Sequence, residues 1–252
     1  MAQDNKIAKL GAPSYVWLAG QKRRLGMIQK FVPLEGKRIL DFGCGVGMYL
    51  KALQQFTNDV YGVEIDKERA EKARRITPNV FITPDERLPF SEATFDVVLF
   101  NEVLEHVGND RRAVEEAVRV LKRGGHIVIF APNRLFPFET HGFYLPTVAS
   151  AKAGRRGRYI FGNIPLINYL PNRLRNKLSP HVRAYTIGDI KRLLGSLPVR
   201  FVVFTQIYPG FDKIFARIPL LGNILRQVFY FLEKTPLRIF GLSHFVIVRK
   251  TG

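Results

Sequence analysis

The fold is decided by the stretch Lys37-Arg38-Ile39-Leu40-Asp41-Phe42-Gly43-Cys44-Gly45-Val46-Gly47. Its residues 38–41 are predicted to form a short buried strand, because branched apolar residues run directly into a cluster of glycines. The glycines permit a tight turn with positive φ and allow the backbone to approach a ligand closely. Helical spacing of apolar residues resumes over residues 48–56. The stretch therefore predicts the start of a β-α-β unit, with a ligand at the carboxyl end of its strand.

Two acidic residues indicate which ligand this unit binds. Asp41 ends the first strand, where a carboxylate favours a cationic amine over a phosphate. Glu64 ends a second predicted strand, residues 59–64, at the place where carboxylates commonly accept two ribose hydroxyls. An amine, a ribose and no phosphate describe S-adenosylmethionine. A dinucleotide-dependent dehydrogenase is disfavoured, because the glycine pattern lacks the final spacing of GxGxxG and an acid precedes it.

The motifs resemble those of the class I S-adenosylmethionine-dependent methyltransferases, of the type 11 kind related to quinone-biosynthesis methyltransferases. Residues 39–47 resemble motif I, residues 61–64 the second motif, and residues 85–90 the acid-x-x-Leu-Pro-Phe loop beside the adenine. Residues 104–106 resemble the Leu-Glu-His motif and residues 121–125 the Leu-Lys-x-Gly-Gly turn. The resemblance implies S-adenosylmethionine as cofactor, bound by Asp41, Gly43, Cys44, Gly45, Gly47, Glu64, Ile65, Asp85, Glu86 and Asn101. Pro84 stands where the acid for the adenine amino group is often found, so Asp85 is expected to replace it.

The same resemblance, with the pattern of apolar segments, predicts the architecture. The fold class is α/β: a Rossmann-like seven-stranded sheet, mostly parallel with an antiparallel last strand, helices on both faces, and helical insertions after strands five and six. The chain of 252 residues suits a single methyltransferase domain. We divide it into an N-terminal helical cover (1–36), a cofactor-binding half (37–133), and two insertions, 134–185 and 207–242, that form a cap for the methyl acceptor.

Several predicted elements inside this frame can be compared directly with a structure. A helix over residues 111–121 is expected to be capped by Gly124-Gly125, and later helices span residues 187–194 and 219–232. Apolar residues at helical spacing between 164 and 178 predict short helices whose basic residues, Arg173, Arg175 and Lys177, lie on another face. We expect the apolar faces of residues 164–178 and 219–232 to contribute to the membrane contact. In the N-terminal cover, Tyr15 and Trp17 are expected to pack, with covering of the cofactor as the alternative.

The charge of the chain is placed unevenly. The net charge is +18, and residues 134–252 contribute 19 basic and only 4 acidic side chains, a net +15. Such a surface attracts polyanions, so an anionic membrane and nucleic acid are the two partners that it favours. Cys44 is the only cysteine, which excludes an internal disulfide and a four-thiolate zinc site. We expect no secretory signal, no spanning helix and a cytoplasmic protein, with peripheral contact at the membrane face.

Methyl transfer requires alignment of a nucleophile and removal of one proton, so we looked for bases. Candidates for catalysis are His141, His181 and Glu139, between which the sequence does not choose, and no metal site is expected. The acceptor is expected to be a small hydrophobic, lipid, lipid-linked or glycan molecule. RNA or another nucleic acid is the alternative, although residues 101–104 lack the Pro-Pro-aromatic loop of exocyclic-amine methylases. The sequence gives no indication of the oligomeric state.

Overall fold

The structure, a computed structural model, describes residues 18–145, 158–160, 164–180 and 182–252. Its central sheet has seven strands in the order β10-β11-β5-β4-β1-β2-β3. β11 runs antiparallel to β5 and β10, and the other neighbouring pairs are parallel, which confirms the predicted fold class. The strands are β1 Ile39–Phe42, β2 Val60–Glu64, β3 Val80–Ile82, β4 Phe95–Asn101, β5 Leu121–Pro132, β10 Val199–Ile207 and β11 Ser243–Lys250.

Helices cover both faces of this sheet. Alternate residues of the strands point to opposite faces, and Leu40 and Ile39 accordingly belong to two separate apolar clusters. One cluster includes side chains of α4 and α6, and the other includes side chains of α1, α2 and α3. The helices are α1 Ala19–Gln29, α2 Met48–Leu53, α3 Lys67–Ala73, α4 Asp110–Val120, α5 Asn172–Leu178, α6 Ile187–Leu194, α7 Asp212–Arg217 and α8 Pro219–Leu232.

The glycine pair after α4 has a different role from the predicted one. The helix ends at Val120, and Leu121 already lies in extended conformation at the start of β5. Gly124 has a φ of +78°, and a Cβ atom on Gly125 would lie 2.8 Å from the carbonyl oxygen of Asp96. The pairing of β4 with β5 shifts register between Phe95 and Val97. The glycines therefore shape an irregularity inside β5, and the predicted cap was wrong.

The insertion of residues 134–185 is only partly helical. It contains four short strands, which pair as two antiparallel ribbons, β6 with β9 and β7 with β8. A 3₁₀ turn, Ile167–Tyr169, precedes α5. The short strands are β6 Phe138–Glu139, β7 Phe143–Leu145, β8 Arg158–Ile160 and β9 Ile164–Pro165. The predicted short helices are present as this 3₁₀ turn and α5, and the two ribbons are elements that the sequence did not predict.

Arg175 of α5 holds this insertion together and is buried, although the helix also carries an exposed apolar side chain. Leu174 is 50% exposed, whereas Arg175 is 2% exposed. Its Nη2 atom lies 2.9 Å from Oε2 of Glu139, and its Nη1 atom donates to the carbonyl oxygen of Val182 at 3.1 Å. Nε donates to Oδ1 of Asn168 at 3.3 Å. All three guanidinium nitrogens of the buried Arg175 are thus bonded, and these bonds fix the path of the insertion. The spacing of apolar residues in the sequence does not reveal such contacts.

The second insertion folds as a helical hairpin, α7 and α8, followed by a 3₁₀ turn at Pro236–Phe240. The predicted bounds of α8 are confirmed, and Pro219 occupies its first turn. Gly222 is the crossing point of the hairpin, because a Cβ atom there would lie 2.4 Å from Cα of Phe215. The apolar face of α8 lies at the surface of the protein, where Leu220 is 74% exposed.

None of the helices in the described ranges combines the length and the apolar character that crossing a membrane requires. Tyr15 and Trp17, which the sequence placed in the N-terminal cover, lie outside the described residues.

We predict that Arg175→Met lowers the free energy of unfolding by about 3 kcal/mol, because Glu139 would remain buried without its ion-pair partner. Thermal or denaturant unfolding measures this loss. Arg173→Met on the same helix is the control, since Arg173 is exposed and its replacement should cost less than about 0.5 kcal/mol. Equal effects of the two substitutions would contradict the structural role of Arg175.

Candidate active site

A cavity of about 900 Å³ opens at the carboxyl edge of the parallel strands. Its floor is formed by the ends of β1, β2 and β4 and by the loops that follow them. Residues of α1, of both insertions and of the end of β10 complete its walls. Open α/β sheets bind ligands at this edge, where the strand order reverses between β1 and β4. The cavity is therefore the candidate active site.

The glycine loop between β1 and α2 is held against β2. The amides of Gly43 and Cys44 donate to the carbonyl oxygen of Val63 at 2.9 and 3.0 Å. Gly43 has a φ of +73°, and a Cβ atom there would lie 2.6 Å from the side chain of Val103. Gly47 has a φ of +88° and faces Ile76, away from the cavity lining. Glycine is thus required at position 43 by the close approach of Val103 in the cavity wall, and at position 47 by packing against Ile76.

Glu64 connects this loop to the end of β2. Its Oε2 atom accepts a hydrogen bond from the amide of Gly45 at 2.8 Å. Its Oε1 atom accepts from the amides of Ile65 and Asp66, each at 3.0 Å. A carboxylate has about four accepting positions, so about one remains for a ligand hydroxyl. That is one fewer than the two ribose bonds that the sequence indicated.

Asp41 is a buried carboxylic acid that faces the cavity. It is 3% exposed, and no residue in the described part of the chain donates a hydrogen bond to its side chain. Burial, reinforced by the negative charge of Glu64, raises the pKa of Asp41 to about 8. An ionised carboxylate here needs a cation that the described side chains do not supply, and an ammonium group of a ligand would satisfy it.

The remaining predicted cofactor residues have varied surroundings. Ile65, Asp85, Glu86 and Asn101 line the cavity, as does Cys44. Asp85 bonds the amide of Arg87 at 2.8 Å, and Glu86 accepts from the amide of Asn109 at 3.0 Å, so both also shape their own loops. Burial and two nearby acids raise the pKa of the Cys44 thiol well above its usual value. Cys44 is therefore a neutral packing residue.

An arginine that the sequence did not single out lies beside these residues. Arg24 of α1 donates to Oδ1 of Asn101 at 3.0 Å, to Oε1 of Glu102 at 2.6 Å and to the hydroxyl of Ser243 at 3.0 Å. Although burial favours the neutral acid, Arg24 holds the pKa of Glu102 below its usual range. Glu102 has a φ of +55°, a strained conformation for a residue other than glycine. In the sequence, Arg24 appears only as one of three adjacent basic residues.

The candidate bases His141 and Glu139 are brought together. Oε1 of Glu139 accepts from the amide of His141 at 3.0 Å and lies 3.2 Å from Nδ1 of its ring. Although burial opposes ionisation, the His141 ring and Arg175 hold the pKa of Glu139 below its usual value. His141 lines the cavity. The third candidate, His181, lies outside the described residues.

Glu105, His106 and His141 also approach one another, with one potential ligand atom from each lying within 4.8 Å of the others. The Nε2 atom of His141 is 3.8 Å from Oε1 of Glu105. This group gives a divalent cation one place to bind, so the sequence-based prediction of a site without metal stays a prediction.

The sequence of the central region matches a known family. Residues 40–129 match the family model described as a methyltransferase domain. A ubiquinone biosynthesis O-methyltransferase of Alkalilimnicola ehrlichii is 34% identical over 149 residues, which cover 52% of this chain and 60% of that protein. An uncharacterized protein of Methanocaldococcus jannaschii is 44% identical over 92 residues, covering 36% and 43% respectively. The chain thus spans about half the length of the curated relatives it matches.

The fold matches solved structures over almost its whole length. An S-adenosylmethionine-dependent methyltransferase of Mesorhizobium loti superposes with a TM-score of 0.61 at 16% identity, covering 92% of this chain and 98% of that one. A SAM-dependent methyltransferase of Aquifex aeolicus gives 0.55 at 15% identity and covers 97% of both chains. At these identities the likeness concerns the fold. Residues 40–129 thus match a methyltransferase domain in sequence, and the fold around them, with its cavity at the switch point, is like that of solved S-adenosylmethionine-dependent methyltransferases.

Proposed function

We propose that the protein transfers a methyl group from S-adenosylmethionine to a small hydrophobic or lipid-linked acceptor. The observation that carries the proposal is Asp41, a buried acid at the end of β1 that faces the cavity and lacks a donor among the described residues. A site of this kind suits a ligand with an ammonium group. Glu64, one strand away, offers about one further accepting position to a ribose hydroxyl.

The donor set fits the cofactor. Asp41 would bind its amino group, Glu64 its ribose, and the loop from Thr83 to Glu86 would lie beside its adenine. When bound, S-adenosylmethionine supplies an electrophilic methyl group. The protein's contribution is to orient the acceptor and to take up one proton.

We assign the uptake of that proton to His141. Glu139 accepts at Nδ1, which places the ring proton there and leaves Nε2 as the accepting nitrogen. Arg175 in turn fixes Glu139 on the other carboxylate oxygen. The resulting row of a guanidinium, a carboxylate and an imidazole orients the base in the cavity wall.

The cavity walls support a hydrophobic acceptor. The volume of about 900 Å³ lies near the top of the range of roughly 300–1,000 Å³ found for ligand pockets, as a site for two ligands requires. Both insertions contribute walls: Thr140 and His141 come from the first, and Tyr208 and Tyr230 from the second. Val103, Ile207 and Leu242 add apolar surface. The ubiquinone biosynthesis methyltransferase relatives are consistent with an acceptor of this class.

A nucleic-acid acceptor is the second candidate, favoured by the net charge of +15 in residues 134–252. The two candidates are separated by incubating the protein and methyl-labelled cofactor with a lipid extract or with RNA. Label in the lipid phase supports the proposal, and label only in RNA overturns it.

We predict that Glu64→Ala weakens the binding of S-adenosylmethionine and of its demethylated product at least about tenfold, because a charge-assisted hydrogen bond contributes roughly 1.5–3 kcal/mol. The substitution also removes the acceptor of the Gly45 amide, so the melting temperature should fall. Calorimetric titration measures the affinity. Glu68→Ala, an exposed acid on α3, is the control. Unchanged affinity for Glu64→Ala would show that the ribose binds elsewhere.

We predict that Asp41→Asn stabilises the cofactor-free protein while weakening cofactor binding. The folded pKa of about 8 exceeds the unfolded value of 3.8, so the wild type loses stability as pH rises between those values. Asparagine carries no such cost. The variant should therefore gain up to about 5 kcal/mol near pH 8 and almost nothing near pH 4. Unfolding measured across this pH range tests the sign, and a gain independent of pH would contradict the assignment.

We predict that His141→Asn lowers kcat at least about 100-fold, the usual contribution of a positioned general base, and leaves cofactor affinity unchanged. Glu139→Gln should cause a smaller loss, since the ring remains but loses its orientation. Transfer of labelled methyl groups to a lipid extract measures both. His126→Asn on β5 serves as control, and equal activities of the His141 and His126 variants would rule out His141 as the base.

A further inference from the structure

The hairpin of α7 and α8 has its polar side turned toward the protein. Arg226 of α8 donates to the carbonyl oxygen of Gly210 at 2.6 Å and forms an ion pair with Asp212 at 2.8 Å. Glu233 pairs with Arg23 of α1 and accepts from the amide of Tyr208 at 2.8 Å. The guanidinium of Arg23 also lies 3.8 Å from the ring centre of Tyr230. Charged groups thus join the hairpin to α1 and to the cavity wall.

The opposite side of α8 is apolar and faces solvent. We call it the outer face and define it by Leu220, Ile224, Val228 and Phe231, which are spaced one helical turn apart. Their exposed fractions are 74%, 50%, 49% and 64%. Leu221 of α8 and, in the flanking segments, Ile218, Leu237, Ile239 and Phe240 are exposed apolar side chains as well. A row of exposed apolar side chains along one helix face marks a site of association.

The charges around the outer face are positive. Residues 207–242 contain two acids, Asp212 and Glu233, and both are engaged in the inward ion pairs. Arg217, Lys234 and Arg238 are exposed, and none has an acidic partner within salt-bridge distance in the described ranges. An apolar strip bordered by unpaired cations matches a surface that presents both anionic groups and hydrocarbon.

The positive charges around the outer face favour one kind of binding partner. A second copy docked by a two-fold axis would bring the same cations against themselves, on a chain that already carries a net charge of +18. A nucleic acid would satisfy the cations but would leave the apolar strip uncovered. An anionic lipid bilayer satisfies both.

We propose that the outer face of α8 docks on the surface of an anionic lipid bilayer, without crossing it. Leu220, Ile224 and Phe231 lie at the boundary between headgroups and acyl chains. Arg217, Lys234 and Arg238 contact lipid phosphates. Because Tyr230 and Asp212 of the hairpin line the cavity from its inner side, docking places the active site next to the bilayer. This last step rests on the proposed function, whereas docking itself does not.

The primary test is flotation of the protein with vesicles of equal parts phosphatidylglycerol and phosphatidylcholine, near physiological salt. We expect the wild type to float, and a Leu220→Ser/Ile224→Ser/Phe231→Ser variant to bind at least about tenfold more weakly. Ile82→Ser/Val202→Ser is the matched control, because both residues are exposed apolar side chains on the edge strands β3 and β10. It should float as the wild type does. Equal binding of the triple variant and the wild type would overturn the proposal.

A position-specific readout does not depend on the folding of a triple variant. Cys44 is buried, so an environment-sensitive fluorophore attached to Leu220→Cys labels one exposed site. Its emission should shift to shorter wavelength on these vesicles, and that of the same label on Ile82→Cys should not. Shifts of equal size at the two positions, or at neither, would refute docking by α8.

The charge requirement and the competing occupants are tested separately. Arg217→Gln/Lys234→Gln/Arg238→Gln should lose the preference for phosphatidylglycerol over pure phosphatidylcholine vesicles. A wild type that is dimeric by light scattering, becomes monomeric in the triple serine variant and fails to float would identify the outer face as a self-association surface instead. Binding of RNA without vesicles would also overturn the proposal. Calorimetric titration of the cofactor in each variant reports the proposed function independently, since docking predicts no change in that affinity.

Discussion

The architecture of the site depends on the hydrogen bonds that the carboxylate of Glu64 accepts. This carboxylate gathers three backbone amides, from the glycine loop after β1 and from the turn after β2. β1 and β2 are neighbours in the parallel sheet, where backbone hydrogen bonds join them. Beyond the carboxyl ends of these strands, the Glu64 side chain joins the loop after β1 to the turn after β2. The loop conformation and the position of the acid are therefore a single feature, and the cavity floor is fixed before a ligand binds.

Two arginines join further segments of the cavity wall through side-chain hydrogen bonds and ion pairs. Arg24 ties α1 to the ends of β4 and β11, and Arg175 ties α5 to β6. Each is largely buried and each meets a carboxylate, so the electrostatic cost of burial is offset by bonds to several partners. The walls of the cavity consist of segments far apart in the sequence, and these cations supply the specific contacts between them.

The sequence predicted the parts of the molecule that depend on local patterns. The βα repeat, the mostly parallel sheet with an antiparallel last strand and the bounds of α6 and α8 follow from apolar spacing, helix caps and motif resemblance, and the structure confirms them. The failures are of another kind. The buried Arg175 and the cluster around Arg24 arise from partners far away in the chain, which no spacing rule detects. Periodicity likewise identifies an apolar face of α8 without identifying what it contacts, and only the structure shows that the face is exposed. For the glycines after α4, the same Gly-Gly pair in the sequence is compatible with a helix cap and with an irregularity inside a strand.

The burial of Asp41 has a consequence for the energetics of ligand exchange. In the resting protein near neutral pH this acid retains its proton, so the pocket is close to electrically neutral at that point. A ligand that brings a fixed positive charge replaces the proton, and the proton passes to the buffer. Association is then a cation exchange, and its measured heat includes the ionisation heat of whichever buffer receives the proton. The same exchange would accompany the binding of any ligand whose ammonium group reaches Asp41.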